Sequence, residues 1–194
     1  MTKDTITLND DLYLAEGLRR VVYQHPLDSA LCIKILKPTA SKRTLRREIR
    51  YVKKYSQRVD CVPSYHGKVM TNKGKGYVFG LVCNHNGGFS QSLENTLKSQ
   101  SLPGLLKKII QSYELLLDKR VLVTDLHARN VVVKVTETDY ELHYVDGAEN
   151  TDFIKACDYS KRFLKRKLDK KFTQLCKSID LEYDFTAHVT GSQP

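Results

Sequence analysis

The chain has little that could staple a fold together. Its five cysteines, Cys32, Cys61, Cys83, Cys157 and Cys176, are scattered, odd in number and without a C-x-x-C pair. That argues against a disulfide scaffold or a zinc site and favours a reducing, cytoplasmic setting. His25, His66, His85, His143 and His188 show no metal-ligand spacing either. No eighteen apolar residues run together, so no transmembrane helix is expected. The first ten residues carry two acids and no apolar core segment, so no signal peptide is expected. Internal repeats and low-complexity tracts are absent too. What the chain does have is positive charge, a formal +10 at pH 7, which points to acidic or phosphate-bearing partners. With 194 residues and 41% hydrophobic content it can bury one core, as a single domain or two small lobes.

The N-terminal half reads as strands. Leu12 to Leu14, Val21 to Tyr23 and Ala30 to Leu36 are β-prone runs, and His25 to Ser29 supplies a turn before the third. Ser41 to Arg58 reads as a helix with Ser41 at its N-cap. Tyr65 to Thr71 and Tyr77 to Cys83 form a hairpin over residues 72–76. Asn84-His85-Asn86-Gly87-Gly88 is the best linker, its small residues allowing many backbone states. Past it the period becomes helical, from Leu102 to Leu117. Val131 to Val135 and Tyr140 to Val145 make a second hairpin. A last helix runs from about Tyr159 to Ile179, with Leu164, Leu168, Phe172, Leu175 and Ile179 on one face. The order predicts an α+β plan of two lobes: residues 1–83 as a β-rich lobe with one helix, 84–88 as hinge, and 89–194 as a mainly helical lobe.

The chemistry-bearing residues sit at the ends of the second lobe's strands. Asp125 and Asn130 share a loop between Val121 to Val123 and Val131 to Val135, both read as buried strands, and Asp146 ends another strand before Gly147. Asp, Asn and Asp at neighbouring strand ends supply the base and oxygen ligands of phosphoryl transfer from ATP. Asp and Asn are also common turn formers. His127, two residues after Asp125, could meet a transferred phosphoryl group or be a plain loop histidine.

In the first lobe, Glu48 is the only acid of its helix and falls in the stripe of Leu45, Ile49 and Val52. A carboxylate there needs a cation, and Lys34, interrupting the apolar strand upstream, is the natural one. The alternative has Glu48 edging into solvent and Lys34 pointing outward. Gly17 between the first two strands would let backbone approach a phosphate, or simply make a hairpin turn. Two basic faces, at 42–58 and 161–171, are solvated helix surfaces or sites for an acidic or phosphorylated partner. Nucleic acid is not excluded.

In order, these residues resemble the protein-kinase-like superfamily. The stretch from Leu14 to Tyr23 resembles its glycine-rich loop, Cys32-Ile33-Lys34-Ile35 its strand lysine, and Arg47-Glu48-Ile49 its helix glutamate. Asp125-Leu126-His127-Ala128-Arg129-Asn130 resembles the catalytic loop and Val145-Asp146-Gly147 the metal-binding turn. Within that superfamily the chain resembles the small bacterial PhoP regulatory network protein family. This likeness is carried by Glu16-Gly17 with Tyr23-Gln24-His25-Pro26, by Val62-Pro63-Ser64-Tyr65-His66-Gly67 and by Gly76-Tyr77-Val78-Phe79.

The resemblance implies a two-lobed protein-kinase-like fold with a reduced, mainly helical C-terminal lobe. It implies an ATP- and Mg²⁺-dependent kinase acting on a hydroxyl, in which Lys34 contacts the α- and β-phosphates and pairs with Glu48. Asp125 is then the base, Asn130 and Asp146 hold Mg²⁺, and the backbone near Val82 and Cys83 meets adenine. Ala15 and Arg20 replace the loop's outer glycines, and Val123 and Thr124 stand where kinases have His-Arg. Only residues 148–194 follow Gly147, with no Ala-Pro-Glu motif, so the peptide-docking lobe is missing or drastically reduced. The acceptor is then a protein Ser/Thr or a small, sugar-type molecule, or the chain is a pseudokinase-like regulatory nucleotide binder.

Overall fold

The β-prone runs of the first half assemble into one antiparallel sheet. The computed structural model describes residues 5–145 and 160–188. Its larger sheet comprises β1 (Tyr13–Glu16), β2 (Arg20–His25), β3 (Asp28–Leu36), β4 (Tyr65–Thr71) and β5 (Gly74–Gly80), in spatial order β1-β2-β3-β5-β4. A strand's two-residue period divides β3 between the faces of the sheet. Ile33 and Ile35 join Leu8, Tyr23 and Val78 in a small apolar cluster on one face. Cys32 belongs to the main core on the other, and Lys34 shares its face. Register sets Val22 opposite Lys34 and Arg20 opposite Leu36, so Arg20 also stands on the Lys34 face. Gly76 is required where it is, because a Cβ there would lie 2.5 Å from Ile33 Cγ2.

Helix α1 (Lys42–Tyr55) crosses from β3 to β4, and Ser41 Oγ caps it by accepting from the Thr44 N–H at 3.4 Å. Leu45, Glu48, Tyr51, Val52 and Tyr55 recur at helical spacing and are buried. Lys42, Arg43, Arg46, Arg47, Arg50, Lys53 and Lys54 are exposed. Burying each large apolar side chain of that stripe contributes about 1.5–3 kcal/mol.

The second half adds β6 (Gln91–Ser92), α2 (Leu93–Ser99), α3 (Leu105–Asp118), the hairpin β7 (Val131–Val135) and β8 (Tyr140–Tyr144), and α4 (Lys161–Ser178). Strands β6, β7 and β8 form a second, three-stranded sheet. Helices α3 and α4 meet through Tyr113, whose ring centroid lies 5.5 Å from Phe172 and 4.7 Å from Phe185. One apolar core runs from Tyr51, Val52 and Phe79 through Leu116 and Leu122 to Leu168 and Phe172.

Three expectations are corrected. Val121, Leu122 and Val123 are fully buried but form no strand, because their backbone is satisfied elsewhere. The Val121 N–H donates to the Leu116 carbonyl at 2.8 Å and the Leu122 N–H to the Tyr51 hydroxyl at 2.6 Å. The first hairpin turns on Asn72 and Lys73 alone, and β5 ends at Gly80 rather than Cys83. The segment 84–88 is tied down rather than slack. Asn84 Oδ1 accepts from the Ser90 hydroxyl at 2.8 Å and the Val135 N–H at 2.9 Å, and the His85 N–H donates to the Val135 carbonyl at 2.9 Å. Strand β6 and helix α2 were not anticipated. A two-residue strand carries no period, and Ser92 caps the short helix by accepting from the Asn95 N–H at 3.2 Å.

Candidate active site

Because Lys34 shares its face of β3 with core residues, its side chain runs inward. The ammonium lies 4.5 Å from the centroid of the Phe79 ring and donates to the Val145 carbonyl at 3.1 Å, across 111 positions of sequence. Val145 is the residue just before Asp146, and its own N–H donates to the Asn130 carbonyl at 3.1 Å. The Asn130 side-chain amide donates to the Asp125 carbonyl at 3.1 Å. Lys34, Val145, Asn130 and Asp125 are thus joined by an unbroken run of hydrogen bonds.

The loop from Asp125 to Asn130 is shaped by its own backbone. The His127 N–H donates to the Asp125 carbonyl at 3.1 Å, and the Asn130 N–H to the His127 carbonyl at 2.8 Å, closing a 3₁₀ turn over Ala128–Asn130. Leu126 anchors the loop in the core, while the Asp125 and His127 side chains remain about half exposed. Asp125 Oδ1 lies 3.3 Å from His127 Nε2. With its nitrogen committed to the Asp125 carbonyl, the Asn130 amide oxygen has no partner among the described residues. Asp146 and Gly147 lie outside the described residues.

Glu48 is buried, as a site glutamate must be, and lines a small cavity together with Lys34, Phe79 and Val145. Its partner differs from the expected one. Both carboxylate oxygens are taken by the Arg20 guanidinium, Oε1 accepting from Nη1 at 2.9 Å and Oε2 from Nη2. The reason is geometric: Arg20 and Lys34 share the sheet face beneath α1, and the planar guanidinium matches a carboxylate with two donors at once.

Of the other sequence candidates, Gly17 sits in the β1–β2 turn and donates its N–H to the Arg20 carbonyl at 2.8 Å. Its backbone needs no positive φ, and an added Cβ would meet only ordinary contacts, so nothing in this conformation demands glycine. The Val82 carbonyl accepts from the Ser90 N–H at 3.2 Å. Cys83 faces Phe89 in an isolated antiparallel bridge whose hydrogen bonds are made by the flanking residues. Among the described residues the Cys83 backbone groups therefore have no partner and can serve a ligand. Burial pushes the Cys83 thiol up. Burial also raises the Cys32 thiol, against the opposing charge of Lys34, which keeps it a thiol rather than a nucleophile.

Two residues that the sequence did not offer as site residues complete the arrangement. Arg20 could have been found from strand parity, two residues from Val22, the cross-strand neighbour of Lys34. Tyr51, which ties α1 to Leu122 ahead of Asp125, leaves no signal beyond its place in the buried stripe. The groups fit Mg·ATP in kind: a partly buried ammonium, a half-exposed carboxylate and, among the described residues, an unengaged amide oxygen and open backbone groups at Cys83. Among the described residues no cluster of three His, Cys, Asp or Glu could hold a metal.

A family profile described as PhoP regulatory network protein YrbL matches residues 6–180. The chain belongs to this family. It is 26% identical over 175 residues to the curated Uncharacterized protein YrbL of Escherichia coli K12, covering 85% of this chain and 83% of that one. The Shigella flexneri protein of the same description matches to the same extent. Among solved structures, a double mutant of the PknI kinase domain from Mycobacterium tuberculosis superposes with a TM-score of 0.55 at 14% identity. That match covers 94% of this chain and 77% of the other. This YrbL-family protein therefore has an α+β, protein-kinase-like fold. No helix among its described residues is long and apolar enough to cross a membrane.

Proposed function

We propose that the protein is a minimal kinase, transferring the γ-phosphoryl group of ATP to a hydroxyl acceptor. The observation that carries this reading is the link from Lys34 through Val145 and Asn130 to the backbone carbonyl of Asp125, which ties the strand amine to the loop that bears the Asp125 carboxylate. Lys34 neutralises phosphate oxygens as the terminal group departs. Asp125 orients the acceptor hydroxyl and takes its proton as the new O–P bond forms and the bond to ADP breaks. His127, 3.3 Å from Asp125 and itself exposed, could meet the transferred phosphoryl group. Asn130 and Asp146 would hold Mg²⁺, whose role is to neutralise charge shared between the β- and γ-phosphates. Cys83 and Val82 would receive the adenine at the 84–88 crossing, with 1–83 and 89–194 as the two lobes. The acceptor is a protein Ser/Thr or a small hydroxylated molecule, and the basic faces of α1 and α4 suit an acidic or phosphorylated partner.

Asp125→Asn tests the assignment. Binding of a fluorescent ATP analogue with Mg²⁺ should persist while transfer falls about 10²–10⁴-fold. Transfer at the wild-type rate would remove Asp125 as base. A second reading, a regulatory nucleotide binder, draws support from the engagement of Glu48 by Arg20 rather than Lys34. Nucleotide that raises the melting temperature without any turnover would favour it.

A further inference from the structure

The outward face of α1 carries more charge than its surroundings answer. Its seven lysines and arginines are all exposed. At 3.6 residues per turn they fall within an arc of about 140°, opposite the buried stripe. The one acid of the helix, Glu48, faces inward to Arg20. Among the described residues none of Lys42, Arg43, Arg46, Arg47 and Arg50 forms an ion pair. A solvated helix face commonly mixes its charges, so that side chains three and four apart attract. On this face every such pair repels.

The same face discriminates among anionic partners. Seven charges along 14 residues, about 21 Å of helix, amount to one per about 3 Å. A strand of duplex nucleic acid presents one phosphate charge per about 3.4 Å of axis. An extended protein segment reaches that density only when nearly every residue is acidic. Four of the seven are arginines, whose planar forks match phosphate oxygens. No large apolar side chain of α1 is exposed, so the face has nothing to insert into a lipid surface. Helix α4 differs on both counts: Phe163 stands 55% exposed among its cations, and Lys165 is paired with Asp169.

We propose that the outward face of α1 docks the phosphodiester backbone of nucleic acid, held by charge and without reading base sequence. This surface is turned away from Lys34 and the cavity it lines, so the proposal and the kinase reading can fail separately.

The test is fluorescence anisotropy of the full chain with labelled single-stranded RNA, single-stranded DNA and duplex DNA. Each probe has mixed sequence and about 20 nucleotides per strand, and salt runs from about 50 to about 200 mM. Affinity should fall about 10²–10⁴-fold across that range. Arg43→Gln with Arg47→Gln and Arg50→Gln should weaken binding about tenfold or more at the lowest salt. It should also make the slope of log affinity against log salt shallower by about 3. Arg47→Gln alone should make it shallower by about 1, so the reading does not depend on the triple variant. Arg162→Gln with Arg166→Gln and Lys170→Gln removes the same charge from exposed positions of α4 and should stay within about threefold of wild type. Urea unfolding checks that each variant is folded.

Tighter binding of RNA or of DNA would assign the source, and equal affinity would assign the backbone common to both. Equal weakening in the two triple variants would reduce the effect to net charge and overturn the proposal. No binding at the lowest salt would overturn it too. Displacement of the nucleic acid by poly-glutamate at equal charge would give the surface to an acidic protein instead. Tighter binding to phosphatidylglycerol vesicles than to any of the three probes would give it to a membrane.

Discussion

Helices α1 and α4 are built to one recipe and used in two ways. Each is crowded with lysine and arginine, and each carries a single acid, Glu48 or Asp169, that turns inward. Asp169 is satisfied close to home. Lys165, one turn earlier on the same helix, donates to both its oxygens at 3.1 and 2.9 Å, and the Tyr113 hydroxyl of α3 donates at 2.5 Å. That arrangement locks two helices together. Glu48 instead takes its partner from strand β2, beside a lysine that donates to the Val145 carbonyl at the end of β8. A lone acid on a basic amphipathic helix therefore says only that a cation will meet it. Where that cation comes from decides whether the pair fastens packing or shapes a site.

The comparison can be broken most forcefully at Glu48. Glu48→Ala takes the Glu48 carboxylate away from the buried Arg20 guanidinium, and urea unfolding should show a loss of up to about 3–5 kcal/mol. Nucleotide affinity in the folded fraction should change as well; an unaltered affinity would place Glu48 with Asp169 as a packing residue. Asp169→Ala should cost about 2–3 kcal/mol, because the Tyr113 hydroxyl loses its acceptor in the core. Its nucleotide affinity should stay at the wild-type value, and a shift would show that α4 does communicate with the cleft.

Tyr51→Phe sharpens the case for α1 further. It deprives the buried Leu122 N–H of its acceptor, costing about 1–2 kcal/mol, and should slow transfer by loosening the approach to Asp125. A stability loss with unchanged turnover would confine Tyr51 to packing.

The mildest effect belongs to a buried group outside both helices. Burial depresses the His143 pKa from its ordinary 6.5, with the Glu141 carboxylate 3.3 Å away opposing the shift. The folded state thus resists a proton that the unfolded chain accepts. The contribution is intact above pH 6.5 and is lost as pH falls below it toward the folded value. Unfolding free energy measured down through that range should decline less steeply in His143→Gln than in wild type. Parallel curves would mean that other groups set the acid limb.

Much of this was legible in the chain because it depends on local period. The strands of the larger sheet, the Ser41 cap and the stripes of α1, α3 and α4 follow from apolar spacing alone. So does the inward face of Lys34, once its neighbours Ile33 and Ile35 are given to the opposite side. The partner of Glu48 was not legible by the same means, because Arg20 and Lys34 have equal parity and only three-dimensional reach distinguishes them. Val121 to Val123 misled because burial and β-branching look alike in a strand and in an extended segment whose N–H groups find a hydroxyl and a helix end. Residues 84–88 misled because composition reports what a backbone is free to do, not what one well-placed side chain prevents.

That side chain, the Asn84 amide, has an evolutionary corollary. A crossing secured at its first two residues can bulge on its outer side, where Gly87 meets open space, although its φ of 81° favours glycine at that position. It cannot vary at the Asn84 amide itself. Relatives that lengthen this bend should therefore keep an amide at its first position and spend their insertions after it.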